Sequence, residues 1–220
     1  MAETDSELPP HLLKAVKGFI ALANNPSHTE AVFDIADGLR HTDLYRHFIE
    51  YAHAQPQIVQ ILEERYFAPT PDLEALLRYP QNSLGYLYAS TMKESQLDPA
   101  FYRKIQVEDD YSYIALRMRQ THDIWHLITG FGTDLGGELG LQAFTLAQTH
   151  SPLAVTILTA SIFYTMTSSG SLNVVIDHLQ KGWQIGTIAQ PFLAQKWEEG
   201  WEKPVHEWRV ELNVEAVNGE

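Results

Sequence analysis

Residues 122–138 read HDIWHLITGFGTDLGGE, and the chain's organisation can be worked outward from them. The apolar residues Ile124, Trp125, Leu127 and Ile128 recur at helical rather than alternating spacing, and Gly130 is placed to end that helix. Thr133 or Asp134 then caps a second helix that starts within three residues of the stop. The reading is helix, tight turn, helix. His122 and His126 stand four apart, so they lie one above the other on one helical face, about 40° apart in projection. Asp123 adjoins the first histidine, and Glu138 follows the second after eleven residues that include Gly130, Gly132, Gly136 and Gly137.

The helix bearing the histidines begins at Asp109 or Asp110. It is apolar around most of its circumference: Leu116, Ile124 and Leu127 oppose the histidines, Trp125 and Ile128 fill the flank, and Met118, Arg119 and Thr129 continue the histidine face. Such a helix is buried. Two histidines, an arginine and two carboxylates inside it would cost several kcal/mol each if left without partners. A divalent metal or a tight hydrogen-bond network resolves that cost, and His with carboxylate suits zinc or iron. An isolated H-x-x-x-H pair is usually an ordinary core or surface feature; Asp123, Glu138 and the apolar surroundings point here to a ligand set of His122, Asp123, His126 and Glu138. Gly136, Gly137 and Gly140 either admit a close approach to the histidine helix or belong to the turn.

Further out, the same periodicity dominates. Helices are expected from just after Pro9-Pro10 to near Asn24-Asn25-Pro26, and over Thr29 to Leu39, Thr42 to Ala54, Gln57 to Phe67, Asp72 to Tyr79 and Ser83 to Ser95. Beyond the motif they are expected from the 133–134 cap to about His150, Pro152 to Thr167 and Leu172 to Ala194. Only Val205–Val214 (VHEWRVELNV) alternates as a strand does, and it has no partner strand. The expected architecture is all-α, one domain over residues 1–220, of about ten helices with short loops.

The remaining polar residues fit solvated or structural roles. His41, His47 and His53 recur every six residues, a spacing that does not converge on a helix, and read as solvated. His150 closes a helix C-terminus, where a cation is favoured. Arg117 and Arg119 suit an anion such as a phosphate or carboxylate, or equally an acid on a neighbouring helix. The apolar helix Pro152–Thr167 is ordinary core or the wall of a lipid pocket, with Phe163, Tyr164 and Met166 as candidate contacts.

Composition limits the function classes. The 220 residues carry a net charge of −13, which argues against nucleic acid and against a polybasic hold on anionic lipid. With no cysteine there is no disulfide, and metal ligands must be His, Asp or Glu. The start, MAETDSELPP, is acidic and lacks an apolar core, unlike a secretory signal or an Arg-rich transit peptide. The run Pro152–Met166 is too short and polar to span a bilayer. A cytoplasmic protein is expected.

The motif resembles the signature of the coenzyme Q (ubiquinone) biosynthesis protein 4 family, H-D-x-x-H, eleven residues, then E, met by His122, Asp123, His126 and Glu138. NSLGYLYAS (82–90, with Tyr88), the approach YSYIALRMRQ with Tyr113 and Arg117, and the closing GWQIG, WEEGW and EWRVELNV resemble further family segments, so that the likeness runs from about residue 10 to 214. The acidic start differs from the presequence of eukaryotic members and suggests a bacterial relative. The resemblance implies an all-helical protein, peripheral at the inner membrane, working with other quinone-biosynthesis enzymes and binding a prenylated aromatic or isoprenoid lipid. It implies a divalent metal on the four motif residues (zinc foremost, with iron, manganese or magnesium as alternatives) and a homodimer as one form of assembly. Two roles follow: an oxidative decarboxylase that replaces the carboxyl of a prenylated hydroxybenzoate by hydroxyl, or a non-catalytic organiser of the pathway's enzymes. A hydrolase of the H-E-x-x-H kind is disfavoured, because the general-base glutamate of that motif is here the shorter Asp123.

Overall fold

The computed structural model describes residues 8–40, 42–99, 105–168 and 170–217. Among them are eleven α-helices and no strand: α1 (Pro10–Asn24), α2 (Thr29–Leu39), α3 (Asp43–His53), α4 (Pro56–Glu64), α5 (Leu73–Leu76), α6 (Leu84–Glu94), α7 (Asp110–Thr129), α8 (Leu135–Thr149), α9 (Pro152–Thr167), α10 (Leu172–Ile188) and α11 (Val205–Glu211). Short 3-10 turns occupy Phe192–Ala194 and Trp197–Glu199.

Local chemistry sets most of these boundaries. Pro10, Pro56 and Pro152 open helices at positions where the missing N–H costs nothing. Asp72, Ser83, Asp109, Asp134 and Ser151 accept hydrogen bonds from first-turn N–H groups of α5, α6, α7, α8 and α9. α7 has a reciprocal cap: Asp109 accepts from the Ser112 N–H at 2.8 Å, and the Ser112 hydroxyl accepts from the Asp109 N–H at 3.0 Å. Gly130, at φ 78°, ends α7 in the left-handed region that glycine enters without cost.

Four expected elements differ. α5, expected to run through Tyr79, stops at Leu76, and residues 77–79 are turn and bend. α4 stops at Glu64, where Arg65 turns left-handed at φ 49°. α10 stops at Ile188 rather than Ala194, because Pro191 has no N–H to give and its ring disfavours helix in the residue before it. The segment 205–214 contains α11 (Val205–Glu211) instead of a strand. Val205, Trp208 and Leu212 are buried at i, i+3, i+7, whereas Val210, which alternation would bury with Trp208 and Leu212, is 79% exposed. A lone strand leaves its backbone unpaired; a helix satisfies it internally.

α7 runs through the middle of the molecule, and every residue from Asp110 to Thr129 is buried or half-buried. On one side it packs with α5, α6, α8, the end of α10 and α11 around an aromatic core, in which Trp125 meets Phe144 and Phe192, and Phe192 and Trp208 flank Trp197. On another side α3 and α4 bring Tyr45, Phe48, Ile58 and Ile61 against Tyr113 and Ile114. α1, α2 and α9 form a third layer around Leu22, Ile35 and Ala160. Of the two open readings of the α8 glycines, Gly137 packs on the turn, where a Cβ would stand 2.0 Å from the Gly132 carbonyl oxygen, while the close helix approach is to α10, where a Cβ on Gly182 would stand 2.0 Å from the Gly140 carbonyl oxygen. No helix among the described residues is long and apolar enough to cross a membrane.

Candidate metal centre

α7 and α8 supply the site from either side of one turn. After Gly130 the chain turns through Phe131, and Asp134 restarts it by accepting from the N–H groups of Gly136 and Gly137 at 2.8 and 3.0 Å. Glu138 thereby stands in the first turn of α8, where the helix dipole favours an anion. His122, His126 and Glu138 form a group whose ligand atoms all lie within 4.8 Å of one another. His126 Nε2 is 3.2 Å from His122 Nε2 and 3.2 Å from Glu138 Oε1, and His122 Nε2 is 3.7 Å from Glu138 Oε2.

The tautomer of His126 follows from its partner. Nδ1 lies 3.0 Å from the carbonyl oxygen of Phe131, which can only accept, so Nδ1 carries the proton and Nε2 of the neutral ring presents a lone pair. That lone pair points at a second imidazole nitrogen and a carboxylate. With His122 in the tautomer that leaves Nε2 unprotonated, the three atoms present lone pairs to one point, an arrangement that a divalent metal would satisfy. The donor set, two imidazoles and one carboxylate, matches zinc and iron preferences.

Electrostatics agree with a cation-seeking site. His122 is shifted below the ordinary imidazole value, by burial first and by the neighbouring His126 second. At His126 burial is the largest influence and opposes charge, but the hydrogen bond and charge of Glu138 outweigh it and raise the group. Burial likewise works against the Glu138 carboxylate, yet the His126 hydrogen bond and the two imidazoles hold it below the usual range.

Of the residues singled out from the sequence, Asp123 stays outside this ligand group. It is half-buried one residue along α7, and its charge reaches both imidazoles through space. Arg117 takes the second of its two open roles. It is 1% exposed and makes a two-pronged pair with Glu198, Nη1–Oε1 2.7 Å and Nη2–Oε2 3.0 Å, supplemented by the Gln195 carbonyl. Arg119 lies with its guanidinium 4.5 Å from the Phe33 ring centroid and lines a cavity. His47 is exposed beside Glu50, His53 bonds Asp110 at 2.7 Å, and His150 stacks on Tyr51 with centroids 3.7 Å apart; His41 lies outside the described residues.

The cavity has a volume of about 820 Å³. His122, Glu138 and Arg119 line it together with Val32 and Phe33 of α2, Met118 of α7, and Leu153, Ile157 and Tyr164 of α9. Phe163 and Met166, taken from the sequence as pocket contacts, stand instead on the outer face of α9, 56% and 66% exposed. Sequence reading also missed the Phe131 carbonyl, a backbone group that carries no residue-type signal, and Glu198, which only the tertiary fold brings to Arg117.

The model of the family described as coenzyme Q (ubiquinone) biosynthesis protein Coq4 matches residues 6–218. Among curated relatives, the mitochondrial ubiquinone biosynthesis protein COQ4 homolog of Aedes aegypti is 27% identical over 204 residues, covering 90% of this chain and 69% of its own length. That of Coccidioides immitis is 30% identical over 174 residues, covering 74% of this chain and 58% of its own. A crystal structure of a candidate ubiquinone biosynthesis protein from Nostoc punctiforme PCC 73102 superposes with a TM-score of 0.83 at 31% identity, covering 92% of this chain and 98% of that one. The chain thus spans little more than half to about two thirds of the length of these curated relatives. A match over nearly all the described residues, on a fold that places the motif's two histidines and its glutamate together, assigns the chain to the coenzyme Q (ubiquinone) biosynthesis protein Coq4 family.

Proposed function

We propose that this chain acts in the synthesis of ubiquinone or a similar prenylated quinone by holding a prenylated aromatic intermediate in the α2–α7–α9 cavity, its ring beside His122, His126 and Glu138. The observation that carries this reading is a metal-suited group, His122, His126 and Glu138, at a cavity large enough for a drug-sized ligand, one wall of which is apolar through Val32, Phe33, Met118, Leu153 and Ile157. Burying each CH₂ of a prenyl tail against Leu153, Ile157 and Tyr164 contributes about 0.8 kcal/mol, so a long tail binds well without polar contacts.

His122, His126 and Glu138 would hold a divalent cation, zinc foremost, with Asp123 adding negative charge beside them. Such a cation, when bound, supplies neutralisation of a substrate carboxylate and polarisation of a ring oxygen. The chain's own residues do the rest. The Phe131 carbonyl holds His126 with Nε2 toward His122 and Glu138, and Arg119 places a cationic group on the cavity wall. The reaction assigned to this arrangement is oxidative decarboxylation of a prenylated hydroxybenzoate: the ring–carboxyl bond breaks with release of CO₂, a hydroxyl takes its place on the same ring carbon, and molecular oxygen accepts the two electrons and leaves as hydrogen peroxide, one water being consumed. The protein would work beside other quinone-biosynthesis enzymes at the inner membrane, where its lipid substrate resides.

Metal-loaded protein incubated with prenylated 4-hydroxybenzoate under oxygen, followed by mass spectrometry, tests the reading. Ring-hydroxylated, decarboxylated product is expected with the wild type. Glu138→Gln keeps the shape but loses the anionic ligand, and is expected to bind metal at least about tenfold more weakly and to lose product formation. Tight substrate binding with no turnover under zinc, iron, manganese or magnesium would shift the assignment to a lipid-presenting organiser.

A further inference from the structure

We propose that Phe131 and Gly140 form the positioning device for His126: the phenyl ring seated on Gly140 fixes the backbone carbonyl that sets the histidine's tautomer and aim. This inference rests on the metal reading for its purpose, but its geometry stands apart from it.

Phe131 follows the left-handed Gly130, lies outside both helices and is only 4% exposed. Its carbonyl oxygen accepts from His126 Nδ1 at 3.0 Å, and that is the contact which leaves Nε2 bare toward His122 and Glu138. A carbonyl on a connecting segment aims reproducibly only if the segment is held. The hold comes from α8: a Cβ added to Gly140 would meet the Phe131 ring at 2.1 Å, and one added to Gly137 would meet the Gly132 carbonyl oxygen at 2.0 Å. The ring and the segment following it therefore lie directly on helix backbone. α10 closes the stack from behind, with Gly182 against the Gly140 carbonyl. From the other side, the Arg209 guanidinium of α11 donates to the carbonyls of Ile128 and Leu127 at 3.0 and 3.1 Å, and Val217 N–H donates to Thr129 O at 3.0 Å, pinning the end of α7 just before the turn.

A histidine ligand whose other nitrogen has a fixed acceptor is oriented and locked in one tautomer, and loss of such a partner typically weakens metal binding 10- to 100-fold. Glycine at 140 thus serves more than helix packing. It sets the place of the ring, the ring sets the carbonyl, and the carbonyl sets His126. Phe131 and Gly140 are positioning residues, touching neither metal nor substrate.

The test reads the His126 ring by nitrogen-15 NMR in metal-free protein at alkaline pH, where the imidazole is neutral, and zinc affinity by chelator competition. The wild type is expected to show protonated Nδ1 and bare Nε2. Gly140→Ala displaces the ring and is expected to mix the tautomers and to weaken zinc binding about tenfold, with helical content by circular dichroism unchanged. Combining Gly140→Ala with Phe131→Leu gives the methyl room and is expected to recover most of both losses. Should Gly140→Ala not fold, Phe131→Leu alone carries the test and is expected to shift both readouts in the same direction. An unchanged tautomer in Phe131→Leu, or weakened zinc binding with the tautomer intact, would overturn the proposal. A wild type that binds no zinc, while its variants still mix the tautomers, would instead remove the metal reading and leave the positioning role standing.

Discussion

At the scale of single residues, the division of labour along α7 is sharp. His122 and Arg119 face the cavity, His126 faces its backbone clamp, and Arg117, two positions before Arg119, turns into the core against Glu198. A fully buried arginine is tolerated because its pairing is two-pronged and close, with the Tyr66 ring 5.2 Å from its guanidinium carbon. Removing one partner strands the other's charge. Arg117→Ala is accordingly expected to lower stability by about 3–5 kcal/mol, and the double change Arg117→Met with Glu198→Met by distinctly less, as measured by urea unfolding. The stability loss in Arg117→Ala should greatly exceed any change in ligand affinity per folded molecule, since this side chain does not line the cavity.

At the scale of elements, α7 depends on its first turn as much as on its apolar face. Asp109 caps it, exchanges hydrogen bonds with Ser112 and pairs with Arg40 at 3.1 Å. Burial alone would push the Asp109 carboxyl up, but the Ser112 hydroxyl and N–H and the Arg40 guanidinium outweigh it and hold the group below its ordinary value of 3.8. A carboxyl depressed on folding contributes stability that is present above the unfolded-state value and is lost as the pH falls toward the folded-state one. Asp109→Ala is expected to cost about 1 kcal/mol at neutral pH. Asp109→Asn keeps the cap but not the charge, so the fall in its urea midpoint between pH 5 and pH 3 should be smaller than the wild type's. The same helix was legible from sequence because its cap, its apolar surface and its glycine stop all lie within the segment. α11 was not: its alternation and its i, i+3, i+7 pattern share Trp208 and Leu212, and burial of Val205 with exposure of Val210 is settled by which face meets Trp197.

At the scale of the whole molecule, the cavity is a product of layering. α1, α2 and α9 close over the histidine face of α7 without filling the space between, and the wall is completed by residues from segments more than a hundred positions apart, such as Val32 and Ile157. A ligand at a hundred times its Kd stabilises the folded state by about 2.7 kcal/mol, which for a chain of this size raises Tm by several degrees. A prenylated hydroxybenzoate is expected to do so in a thermal-shift assay. Ile157→Trp, which places bulk into the cavity, is expected to abolish that shift while leaving the metal content of purified protein unchanged.

Sequence by itself determined the helices, their caps and stops, and the four-residue spacing that stacks two imidazoles, because each of these is fixed by hydrogen bonds and periodicity over a few residues. It also carried the family signature, including the glutamate that the turn brings round. Only the tertiary structure decided that Asp123 stands beside the cluster of His122, His126 and Glu138, that Arg117 is committed to Glu198, and that Tyr164 rather than Phe163 or Met166 faces the cavity. Those outcomes depend on how whole helices rotate about their axes to bury their largest apolar faces, a balance struck across the entire core and written in no single stretch of chain.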